Sequence, residues 1–114
     1  MFHSKKEDLV AETLTHEAFA RHLKTKFQVQ LDAGNSVELQ LIEVSELKSY
    51  ERQEEFWILF LGPNEFFLGQ GTRLVDHDVM GQFDLFLVPI KQDDQGYYYE
   101  AVFNRIFQPE KTAS

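Results

Sequence analysis

From Lys26 onward, apolar and polar residues alternate. In KFQVQLD, residues 26–32, Phe27, Val29 and Leu31 fall on one side and Gln28 and Gln30 on the other. That is the period of a half-buried strand. After the turn-forming AGNS the alternation resumes, with Val37, Leu39 and Leu41 inward and Glu38 and Gln40 outward. It then slips by one residue, so that Ile42 and Val44 become the apolar positions. A one-residue slip within a strand is what a β-bulge produces, and the two segments predict a first hairpin. FWILFLG, 56–62, is apolar at every position before its glycine, as in a strand covered on both faces. TRLVDHDV alternates loosely up to a turn at Gly81. FDLFLVPI, 83–90, is a strongly apolar strand in which Pro89 marks an end, an edge or a bulge. The polar hairpin loop KQDDQG leads into YYYEAVFN, 97–104, the last strand. Between these runs, KSYERQEE, 48–55, reads as an exposed polar loop. GPNEFFLGQG, 62–71, holds three of the six glycines and reads as a loop that carries Phe66 and Phe67.

Upstream the period is helical. In LTHEAFARHLKTKF, Thr15 suits an N-cap and Glu17 the first turn. Phe19 and Leu23, four apart, share a face. One helix is predicted from His16 to about Lys24. Residues 1–13 form a polar lead-in in which SKKE matches a capping box, Ser4 to Glu7. They predict either a short helix from Lys5 to about Glu12 or a frayed tail, and residues 106–114 a C-terminal tail. No link is long and helical enough for a parallel crossover. The expected fold is therefore mainly β, one domain over 14–105. It is a six-stranded antiparallel meander rolled into a small barrel or two-layer sandwich, with the N-terminal helix packing over one side.

Length and charge narrow the function. At 114 residues the chain suits one domain with its own core. It has no cysteine, which excludes disulfides, thiolate metal sites and cysteine nucleophiles. No apolar run approaches the roughly 20 residues of a membrane helix, and no secretory signal is visible, so a cytoplasmic protein without a membrane partner is expected. Its net charge is −8. The basic residues are scattered, which argues against nucleic acid as partner.

The residues that look like chemistry do not converge. Asp76-His77-Asp78 suggests a metal or acid–base site, but strand neighbours point to opposite faces, so His77 parts from its aspartates. In HEAFARH the histidines stand at i and i+6, whereas a zinc-protease helix needs i and i+4. GQGT, 69–72, has no lysine and no following helix, so it is not a phosphate loop. None of the five serines sits in a nucleophile elbow. Asp93-Asp94 suits a turn, and Glu100 suits a solvated strand face. No cofactor, no metal and no catalysis are expected. An enzyme using Asp76, His77 and Asp78 ranks last of three readings.

Eleven phenylalanines, four tyrosines and one tryptophan exceed what one core needs. In FWILF, Phe56, Ile58 and Phe60 share a face while Trp57 and Leu59 take the other. In YYYEAVF, Tyr97, Tyr99, Ala101 and Phe103 oppose Tyr98 and Val102. Two apolar faces call for a second layer: the helix, a folded-back loop, or another molecule. Aromatic residues are favoured anchors at interfaces. Trp57, Phe66, Phe67, Tyr97, Tyr98 and Tyr99 are accordingly the candidates for an aromatic surface that binds a protein partner or a second copy. The first reading is a non-catalytic interaction or adaptor module. The second is a barrel whose aromatics line a cavity for an apolar small molecule.

The stretches FWILFLGP, QGT, HDVMGQFDLFLVPI and YYYEAVFNR resemble a family of small bacterial domains described only as a domain of unknown function. The resemblance runs from about Leu14 to Arg105. It includes the helix start of Leu14, Thr15, Glu17 and Phe19, and the core Leu85 to Pro89. GTRLVDH departs from the GTYRLEH expected there, which bears on the register of Thr72 to His77. The resemblance implies no catalytic residues. It implies an assembly or adaptor role in the company of phage-tail-like collar or fibre proteins.

Overall fold

The computed structural model describes residues 14–106. The lead-in of residues 1–13, expected as a short helix or a frayed tail, and the tail after Ile106 lie outside them. Helix α1 spans His16–Arg21 and is capped as its sequence predicts, with Thr15 Oγ1 accepting from Ala18 N at 3.1 Å. It ends earlier than Lys24 because Lys24 takes a positive φ of 74° and donates its N–H to Leu41 O at 2.7 Å. That contact turns the chain onto the sheet. Leu23 therefore leaves the face of Phe19 and is exposed.

Seven strands follow among the described residues: β1 (Lys26–Gln30), β2 (Ser36–Val44), β3 (Lys48–Tyr50), β4 (Gln53–Gly62), β5 (Gly71–His77), β6 (Gly81–Asp93) and β7 (Gly96–Ile106). All pairings are antiparallel. Six of the strands close a barrel through β4–β7 and β1–β5, and β3 hairpins onto β4 as a seventh strand outside the ring. The fold class is the expected small antiparallel barrel, but its connectivity differs from a single meander. Two three-stranded units, β1–β2–β4 and β5–β6–β7, are joined by residues 63–70, which run across one end. The segment 48–55 is also not a loop. Lys48 to Tyr50 pair with Glu55 to Gln53, because backbone hydrogen bonds at an exposed edge need no apolar side chains.

The bulge predicted after Leu41 lies between Leu41 and Glu43, and a second follows Pro89, which removes a ladder donor there. β5 pairs with β6 without interruption from Gly71 to His77, so the local departure from the family pattern leaves the register intact. The interior is packed. At one end Phe19 of α1 plugs the barrel, its ring 5.3 Å from Phe103, 6.1 Å from Phe83, 6.3 Å from Phe56 and 6.4 Å from Phe27. At the other end Leu68, from the crossing segment, is buried and donates its N–H to the Tyr99 hydroxyl at 2.9 Å. Among the described residues no helix is long and apolar enough to cross a membrane.

Candidate functional site

The fold separates Asp76, His77 and Asp78 into three different surroundings. Asp76 lies on the outer face, where it accepts from Gln82 Nε2 at 2.9 Å and from Gln30 Nε2, tying β6 and β1 to β5. Asp78 is exposed in the turn. His77 points inward and is only 8% exposed. Its Nδ1 accepts from Val79 N at 3.0 Å and Met80 N at 3.1 Å, so the ring proton belongs on Nε2. That proton goes to Thr25 Oγ1 at 2.9 Å, and Thr25 donates in turn to His22 O at 2.6 Å. Both ring nitrogens are thus engaged in holding a turn and the start of β1. Among the described residues no three potential ligands gather for a metal.

Burial lowers the His77 pKa below the ordinary histidine value, the His22 imidazole 4.7 Å away adds to this, and Asp78 opposes it. The folded state therefore prefers the neutral ring. The stability this confers is complete above about pH 6.5, the unfolded value. It is lost as the pH falls from there towards the lower folded value. In thermal melts from pH 7.5 to 5, the advantage of the native chain over His77→Asn should narrow as the pH falls. A constant gap would contradict this account.

The six aromatic candidates occupy three places. Tyr99 is wholly buried in the core and presents nothing to a partner. Tyr98 lies on the outer face but is nearly covered: Lys91 Nζ sits 4.6 Å from its ring centre and its hydroxyl donates to Asp93 Oδ2 at 2.9 Å. That bond to Asp93 raises the tyrosine pKa, while the Gln95 N–H is the main cause holding the Asp93 carboxyl below its usual range. Trp57 is half-buried on the outer face, opposite Val102. It stands five residues along β4 from Gly62, roughly 17 Å away.

Phe67 and Tyr97 meet at the end crossed by residues 63–70, and Phe66 precedes Phe67 in that segment. The rings of Phe67 and Tyr97 are 5.0 Å apart, and Tyr97 rests on the core 6.4 Å from Tyr99. Phe66 and Phe67 are 43% and 53% exposed. The segment bearing them is nevertheless fixed on both sides. Asn64 Nδ2 donates to the carbonyls of Asp93 and Asp94 at 3.2 Å each, and Gln92 Nε2 donates to Asn64 Oδ1 at 2.7 Å. Leu68 is held by Tyr99. Arg73 Nη2 donates to Gly69 O at 2.6 Å. Arg73 was not foreseen. The available signal was its place between Gly71 and Val75 on the inward face of β5, where a charge needs a partner. Its Nε is buried without one among the described residues.

A groove of about 550 Å³ opens separately on the outside of the barrel, beside Trp57. The β2 bulge and the turn into β3 form one side, and β4 and β7 form the floor. The buried core residue Phe56 reaches its lining, and none of the lining residues belongs to the Phe66–Phe67 segment.

Residues 14–103 match the family described as a domain of unknown function, DUF6916. They make up most of the chain, and the chain belongs to that family. No curated protein and no solved structure matches it.

Proposed function

We propose that this member of the DUF6916 family is a non-catalytic interaction module that docks onto a partner protein through a crest formed by Phe66 and Phe67 and backed by Tyr97. The observation that carries the reading is a contrast: the segment is anchored at Asn64, Leu68 and Gly69, yet it turns two rings to solvent. Rings fixed in place lose little freedom on binding, which favours them as anchors. The fitting partner has an apolar pocket with a cationic rim, because Glu65, Asp93 and Asp94 flank the crest. A second copy would set those acids against themselves and is the poorer fit. An adaptor role in a phage-tail-like or other multi-protein assembly suits such a crest, and the proposed setting is the cytoplasm, on the sequence grounds above.

The small-molecule reading is disfavoured because Phe19, Phe27, Phe60, Leu68 and Tyr99 fill the interior where a ligand would lie. The enzyme reading is disfavoured because Asp76, His77 and Asp78 point to three different surroundings. A photoreactive phenylalanine analogue at position 67, expressed in the native cell, tests the proposal. Discrete protein adducts are expected, absent when the analogue replaces the still more exposed Val79, and lost on Phe66→Ser. Adducts of equal yield at both positions, or none at either, would overturn it.

A further inference from the structure

We propose that the groove beside Trp57 is a second docking site, one that takes an arginine-bearing segment of a partner protein. The inference stands independently of the crest, since the two surfaces share no residue. The floor is apolar: Trp57 and Val102 face each other across β4 and β7, and Val102 is 65% exposed. Glu43, Glu46 and Glu55 line the same groove, with Lys48 its single base among the described residues. The only ion pairs among the described residues, Arg21–Glu17 and Lys26–Glu38, lie elsewhere. Three carboxylates about one hollow therefore leave a local negative field that an incoming cation would relieve.

The hollow is also preformed. Trp57 is fixed through its backbone, its N–H donating to Ser45 Oγ at 2.8 Å and its carbonyl accepting from Ser45 N at 2.9 Å. His16 Nε2 donates to Ser45 O at 2.7 Å, so α1 buttresses the same lip. A volume of about 550 Å³ accommodates a long side chain with its adjoining backbone. Among cations, guanidinium suits it best. It is planar, stacks on an indole face, and carries donors enough to serve several carboxylates at once. The charge of the rim, together with the aromatic floor, selects arginine over an acidic or purely apolar segment.

Trp57 is the sole tryptophan, so its emission reports on this groove alone. The full chain is titrated with three capped pentapeptides that carry a central leucine flanked by arginines, glutamines or glutamates. The arginine peptide should give a saturable change that weakens at high salt. It should weaken about tenfold in Glu46→Gln/Glu55→Gln, as expected for two exposed charge pairs. Equal binding of the glutamine peptide, or no saturable change with the arginine peptide, would overturn the proposal. So would tight binding that appears only in Lys5→Glu/Lys6→Glu, since the groove would then belong to the chain's own basic segment. None of these results depends on Phe66 or Phe67.

Discussion

Phe19→Ala should lower stability by about 3–5 kcal/mol, the usual range for deleting a buried phenylalanine, and the melting point by roughly 10–20 °C. The size of the effect follows from where the ring sits. Phe19 is completely buried, and four phenylalanines from β1, β4, β6 and β7 close around it. The helix that carries it has six residues, far too few to persist without packing. Losing the ring opens the barrel mouth and removes the reason for the helix to form. Circular dichroism melts of the variant measure both consequences. A loss below about 1 kcal/mol would mean that the helix rests on the barrel as a passive cover.

Gly96→Ala should cost about 2–4 kcal/mol. Gly96 begins β7 with a φ of +149°, and a Cβ there would fall inside the contact distance of the Gly62 carbonyl oxygen. That oxygen is backbone and cannot rotate away. Relief requires parting β4 from β7 where Tyr97 opposes Gly62, beside the root of the crossing segment. Gly71→Ala is the matched control: its Cβ would meet nothing within 4 Å, and a change within about 0.5 kcal/mol is expected. Denaturant unfolding of the pair decides the matter, and equal midpoints would contradict the close approach.

Much of this barrel can be read along the chain because burial on one face writes alternation into a strand. Val37, Leu39 and Leu41 announce their face, and the slip to Ile42 announces the bulge. Thr15 announces the helix start, since only a short polar side chain can serve Ala18 N. The helix end was not legible, because Lys24 stops it through a backbone bond to Leu41, a residue far along the chain. β3 was hidden for a related reason: Lys48, Ser49 and Tyr50 are all exposed, and their pairing rests on main-chain groups that every residue carries. Nor could residues 63–70 show that they cross the barrel end, since loop chemistry reveals a turn but not its destination. The candidate site was partly legible. Surplus rings pointed to a surface, but Tyr99 turns inward, where Leu68 N satisfies its hydroxyl. Phe66 and Phe67, set among glycines and polar residues, stay outside.

The central claim is that Phe66 and Phe67 serve contact with another protein and contribute little to the fold. Equilibrium unfolding of Phe66→Ser/Phe67→Ser tests it most directly. The account predicts a loss of about 1 kcal/mol or less, the worth of the ring contact with Tyr97. A loss of about 3 kcal/mol or more, the cost of removing core aromatics, would make the crest a structural lid and contradict the docking function.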